Sequence, residues 1–257
     1  MGTVSKALGL LDVLSQSHTP KGLTEMSRLA GFDKATTRRL LLELVANGFV
    51  EQDAQSRDYA LGPALQMLGR AREERFPLLR ISQPFVSALA EKTGETVHTT
   101  EFCASVLLSV CIEHSPRTVR VSLEPGQKLP LHSTASGFAF LAASAPSFVE
   151  SVVRKPMHRF TAKTPTDRES LLRCVRETSA RGYSISNETM EEGVHSVAAA
   201  LCDPAGKPVG TIAVAMPMAR ASAALTKEFG LLALQAAEDI SQRLFGKRSG
   251  AGLKKAS

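Results

Sequence analysis

Lys34, Thr36, Thr37, Arg38 and Arg39 stand close together in "GFDKATTRRLLLELVANGFVEQD", residues 31–53. Arginine can grip guanine through paired hydrogen bonds, and threonine reaches phosphate or a thymine methyl group. Behind them Leu40, Leu41, Leu44 and Val45 recur at helical spacing as a buried stripe. The basic residues therefore lead a helix whose far end is core, and some of them must face outward. The positive N-terminal end of such a helix also favours phosphate. A solvated basic face on a protein-binding module would use the same residues.

Other chemistry finds little support. Glu191 and Glu192 are adjacent on an extended segment, so their carboxylates point apart and cannot share one bond as an acid/base pair. The chain has no G-x-S-x-G, P-loop, H-E-x-x-H or dinucleotide-binding glycine pattern, so no enzyme activity and no cofactor are expected. Cys103, Cys111, Cys174 and Cys202 lie far apart without a C-x-x-C pair, which predicts reduced, buried small hydrophobes and no metal site. Eleven Phe, two Tyr and no Trp weaken any model built on stacking against single strands.

Charge alone does not mark the basic helix. Of the net +6, residues 1–75 carry ten Lys/Arg against nine Asp/Glu, and residues 76–246 carry seventeen against sixteen. The remaining excess sits in Lys247, Arg248, Lys254 and Lys255, in a tail (247–257) expected to be disordered. No apolar run approaches about 18 residues and no basic-then-apolar leader follows Met1, so a cytoplasmic protein without a membrane partner is expected.

The elements that carry the basic residues can be read in order. "VSKALGLLDVLSQS" puts Val4, Ala7, Leu8, Leu11 and Leu14 on one helical face. "HTPKG" breaks it, and "LTEMSRLAG" is a second, short helix with Thr24 as its candidate N-cap and Gly31 as its stop. Asp33 can cap the third helix, from Lys34 to about Asn47. Phe49–Gln52 and Asp58–Leu61 then flank "DAQSR" as a small hairpin. Three helices and a hairpin describe a winged helix-turn-helix over residues 1–62, whose last helix enters the major groove. Double-stranded DNA is the expected partner. Thr24, Ser27 and Arg57 join the candidate contacts.

A linker helix over 63–76 starts at Pro63 and ends in "RAREER", with the domain boundary between Arg70 and Pro77. The next helix uses Leu78, Ile81, Phe85, Val86 and Leu89. Beyond Thr96, "TVHTTEFCASVLLSVCIEHS" reads as a hairpin, and "STASGFAFLAAS" and "DRESLLRCVRETSARGY" read as helices. "GVHSVAAALCDPAGKPVGTIAVAMP" is a long hairpin turning at "DPAGK", and "TKEFGLLALQAAEDISQRLFG" is a terminal amphipathic helix. Residues 77–246 are thus an α+β domain with a central antiparallel sheet.

With these segments in place the chain resembles the IclR family of bacterial transcriptional regulators over nearly its whole length. The resemblance rests on "VSKALGLLDVL", "RRLLLELVANGFVEQD", "LPLHSTASGFAFLA", "RGYSISNETMEEGVHSVAAALCDPAGKPVGTIAVAMP" and the closing helix. It implies a DNA-binding N-terminal domain, a GAF-like C-terminal domain for a small-molecule effector, and pairing as a homodimer or dimer of dimers. Most such regulators are repressors of small-molecule catabolic operons; some activate.

The resemblance also implies an effector pocket lined by the stretch after "LPLH". There Ser136 and Gly137, near a helix start, could offer backbone amides to a carboxylate. Ser186 and Ser196 match effector-contacting positions, and His195 sits beside them. His132 is either a pocket residue or a packed, hydrogen-bonded histidine. Where relatives often have serines in a pattern like "SVSGP", this chain has Ala213 and Ala215, with Met216 for the glycine. That departure points to an effector larger and less polar than a two- or three-carbon keto acid: an organic acid, with an aromatic one in range.

Overall fold

The computed structural model describes residues 2–17 and 19–246. Two compact units divide between Phe76 and Pro77. The tail from residue 247, expected above to be disordered, lies outside the described residues.

In the first unit, α1 (Thr3–Ser15), α2 (Leu23–Ala30) and α3 (Lys34–Ala46) are followed by strands β1 (Val50–Gln52) and β2 (Tyr59–Leu61), then α4 (Ala64–Arg75). Leu10, Leu14, Met26, Leu40, Leu41, Val50 and Tyr59 form its core. Each such leucine, truncated to alanine, would cost about 2–5 kcal/mol. Leu10 and Leu14 are the buried residues of α1, flanked by Ala7 and Leu11, while Val4 and Leu8 stay exposed. The expected stripe is therefore rotated about the helix axis, because the contact with α2 and α3 falls on the Leu10 side. Thr24 does not cap α2. Gly22 holds that position and Thr24 lies exposed inside the helix. Gly31 does end it, in the left-handed region at φ 69°. A separate bridge joins the other side of β2 to Lys21, which exchanges backbone hydrogen bonds of 3.0 and 2.9 Å with Tyr59.

The second unit holds α5 (Leu78–Thr93), β3 (Thr96–Cys103), β4 (Val106–Glu113), β5 (Lys128–Leu129), α6 (Ala135–Ala143), α7 (Pro146–Val153), α8 (Arg168–Arg181), β6 (Ser184–Asn187), β7 (Val194–Cys202), β8 (Pro208–Pro217) and α9 (Ala223–Phe245). The six strands form one antiparallel sheet in the order β5-β4-β3-β8-β7-β6. The two hairpins read from the sequence thus join edge to edge through β3 and β8. Helices α6 and α8 cover one face and α5 and α9 the other. On α5 the buried residues are Leu78, Ser82, Val86, Leu89, Ala90 and Thr93, with Ile81 and Phe85 only half-buried. All four cysteines are free, and Cys103 is exposed at the β3–β4 turn rather than buried.

Strand alternation assigns each face. Ser82 on α5 meets Thr99 at 3.2 Å, so the odd residues of β3 face α5. Thr96, His98 and Thr100 face the α6 side, as do Ala213 and Ala215 of β8 and Ser196 and Ala198 of β7. Ala135, Ala139, Ala198 and Ala213 form one small-residue cluster, which lets α6 lie close on the sheet.

Candidate functional site

The helix that carries the basic residues starts where expected. Asp33 Oδ1 accepts from the Thr36 amide at 2.8 Å, and that bond holds the Asp33 carboxyl below its ordinary range. Lys34, Arg38 and Arg39 are exposed on α3 and Thr36 is half-buried. Thr37 is fully buried and donates to the Asp33 carbonyl at 2.9 Å, so it serves the helix start and not DNA. Ser27 is corrected likewise: it is buried on α2 and donates to the Phe32 carbonyl at 2.6 Å, tying the motif's turn together. Arg57 is exposed at the hairpin tip with φ 63°, in a turn that Asp53 organises by accepting from the Gln55 and Ser56 amides. The exposed candidates on this unit are therefore Thr24, Lys34, Arg38, Arg39 and Arg57.

The second site is a cleft between the sheet and the start of α6, with a cavity volume of about 80 Å³. Its floor is a row of cross-strand neighbours. Ala213 pairs with His98 and Ala198, while Ala215 pairs with Thr96 and Ser196, and Ser196 with Ser186. Thr134, Ala135 and Ser136 close one side, and Val121, Leu123, Leu129, Met190 and Val194 supply apolar walls. An apolar cleft with a few fixed polar groups is the usual form of a small-molecule site.

Hydrogen bonds seat α6 over this floor. Thr134 caps it by accepting from the Gly137 amide at 2.9 Å and donates to the Pro130 carbonyl. Ser184 donates to the Ala135 carbonyl at 2.6 Å, and Thr189 to the Ser133 carbonyl at 2.6 Å. Ser186 shares its hydroxyl with Thr189.

The sequence-derived residues divide here. Ser136, Ser186, Ser196, Ala213 and Ala215 come together around the cleft. Gly137 does not offer its amide, which is spent on Thr134. Its missing side chain answers close packing instead, since a Cβ there would lie 2.2 Å from the Leu131 carbonyl oxygen. His195 is one residue out of phase with Ser196 and so sits on the opposite face. There Nδ1 lies 2.6 Å from Asn187 Oδ1 and Nε2 lies 3.0 Å from Thr226 Oγ1 of α9, so it is satisfied away from the cleft. His132 takes the packed reading: Nε2 is 2.9 Å from the His158 carbonyl oxygen, and the ring leans on Phe160.

His98 is the cleft residue that sequence reasoning missed. It is buried, both ring nitrogens lack a hydrogen-bond partner, and desolvation pulls its pKa down to about 4. Ser136 Oγ is likewise buried and unpartnered. The available signal was parity in "TVHTTEF", which puts His98 in phase with Thr96 and Thr100; its meaning depended on knowing that β3 lies beside β8. Among the described residues no cluster of His, Cys, Asp and Glu could hold a metal ion, and no helix is long and apolar enough to cross a membrane.

Comparison with known proteins covers both units. Residues 3–54 match the model of the IclR helix-turn-helix domain, and residues 72–242 match that of the bacterial transcriptional regulator IclR C-terminal region. The chain is 30% identical to the transcriptional repressor IclR of Escherichia coli (strain K12), over 96% of this chain and 91% of that protein. An IclR transcriptional regulator from Silicibacter sp. TM1040 superposes with a TM-score of 0.85 at 35% identity, covering 96% of this chain and 97% of the other. An IclR homologue from Microbacterium hydrocarbonoxydans, solved with 4-hydroxybenzoate, shares the fold with a TM-score of 0.81 at 20% identity over 95% and 99% of the two chains.

Proposed function

The chain belongs to the IclR family of DNA-binding transcriptional regulators, and we propose that it represses an operon for catabolism of a small organic acid that binds in the cleft beneath α6. The observation that carries this reading is the cleft's polarity. Two buried polar side chains, His98 and Ser136, lack partners there, beside a floor of small apolar Ala213 and Ala215. Buried polar groups are normally hydrogen-bonded, so these two are matched to a ligand that brings its own polar end. The small side chains of Ala213 and Ala215 widen the cleft floor, and the Microbacterium homologue was solved with a ring acid, 4-hydroxybenzoate.

The protein acts as a homodimer or dimer of dimers on operator DNA. Exposed Val4 and Leu8 on α1 and Met67 and Leu68 on α4 support a second copy as their cover, since exposed apolar side chains favour a subunit contact.

A thermal-shift screen of metabolites against wild type and the Ala213→Ser/Ala215→Ser double variant tests the effector reading. An aromatic or longer-chain acid should stabilise the wild type and lose affinity in the variant, because each serine puts an added polar atom where the acid's apolar body must pack. Stabilisation by glyoxylate or pyruvate alone would contradict it.

A further inference from the structure

The cleft has no permanent cation. Among its described lining residues there is no lysine or arginine, and the titratable groups are His98 and Glu191. The strand partners of His98, Ile112 of β4 and Ala213 of β8, are uncharged, as are the cleft residues Ala135 and Ser136 of α6, Leu129 of β5 and Ser196 of β7. Glu191, on the segment before β7, is exposed and would repel an acid rather than hold it. The start of α6 contributes only about half a positive charge, and its cap already uses the Gly137 amide. A carboxylate entering this cleft would be poorly compensated, and a buried unpaired charge is costly.

One group can supply the missing charge. Resting on the acid-effector reading above, we propose that His98 is the effector's counter-ion: the acid binds as a carboxylate–imidazolium pair, and its arrival draws one proton from solvent onto the ring. Before binding, the imidazole is neutral, because burial disfavours its charged form and holds the pKa at about 4. A neighbouring carboxylate favours the charged form and raises that pKa. The pair adds no net charge to the cleft, so the site selects monocarboxylic acids with a compact apolar body. It also makes effector response depend on pH. Because the raised pKa belongs to the complex, affinity is strongest at low pH. It falls about tenfold per pH unit between the free ring's pKa, about 4, and the higher pKa the ring acquires with the acid bound, and levels off above that.

Isothermal titration calorimetry of the full chain at about pH 6, in two buffers of different ionisation enthalpy, counts the protons. Benzoate and pyruvate serve as acid probes and benzamide as an uncharged analogue of benzoate. The expected result is uptake approaching one proton per acid bound and none with benzamide. His98→Gln, which can still hydrogen-bond but cannot charge, should abolish the uptake and weaken benzoate at least tenfold more than benzamide. Acid binding without proton uptake in the wild type would overturn the proposal and leave the acid-effector reading intact. If neither acid binds the wild type, the acid-effector reading falls and the proposal with it. Should His98→Gln fail to fold, the wild-type proton count still decides.

Discussion

Arg38 and Arg39 are neighbours in sequence but not on the surface of α3. The helical period sets Arg38 in line with Lys34 and Leu42, and Arg39 in line with Ala35 and Glu43. Arg38 thus belongs to a positive stripe that runs back to the helix start, where a groove-entering helix meets base edges. Arg39 lies beside a carboxylate on the flank. Arg38→Ala should relax sequence preference and cost about 1–3 kcal/mol of specific binding. Arg39→Ala should weaken specific and scrambled duplexes alike and reduce the salt slope by about one. Fluorescence anisotropy on both duplexes across a salt series reads the two effects, and unchanged affinity in both variants would remove α3 from the groove. Buried Thr37 makes a useful control, since its loss should act on stability before binding.

At the scale of elements, the cleft exists because two segments are pinned against the sheet. One is α6, seated by its Thr134 cap and by Ser184 and Thr189. The other is the stretch between β4 and β5, which supplies Val121 and Leu123. A clamp holds its base: Glu95, only 2% exposed, accepts from Arg220 through both oxygens at 2.7 and 2.6 Å and from Arg117 at 2.9 Å. Arg220 also donates to the Val119 carbonyl at 3.0 Å, and Thr96 to the Val121 carbonyl at 2.7 Å. The two arginines are unequal. Arg117 is half exposed, so its loss should cost under about 1 kcal/mol, like other surface pairs. Arg220→Ala instead strips the bidentate partner from a buried carboxylate, which should cost about 3 kcal/mol. Urea denaturation of the two variants checks this ranking; equal losses would mean that Glu95 is not held chiefly by Arg220.

For the whole molecule, the two units have separate cores and separate chemistry, one exposed and basic, the other enclosed. Any response must therefore appear as a coupling between two binding events. Such coupling is reciprocal: the factor by which an effector changes operator affinity equals the factor by which operator changes effector affinity. A homodimer should also read a near-palindromic operator with half-sites about 34 Å apart, or a multiple of that. Footprinting and light scattering check this together. A single isolated half-site bound by a monomer would contradict it.

Much of this was legible in the residues because it is local. The three-helix-and-hairpin unit follows from periodicity, from Asp33 as a cap and from Gly31 as a stop, each acting within a few residues of itself. The hairpins β3–β4 and β7–β8 follow from alternation and turn chemistry, and Ala213 and Ala215 share a face by parity alone. Phase and partnership were not local. Which side of α1 is buried depends on α2 and α3, so Leu10 displaced Val4 and Leu8. Ser27 and Thr37 look like DNA contacts by type, yet tertiary burial turns their hydroxyls onto backbone carbonyls. His195 and Ser196 are adjacent in the chain, and only the stacking of α9 on one face and α6 on the other sends them to different surroundings. His98 shows the limit most clearly. Its parity was readable, but its role arises from the pairing of β3 with β8, which joins residues far apart in sequence and places a buried, unpartnered imidazole beside Ala213. Local propensity carries no information about that pairing, because the strands are matched by burial across the whole sheet.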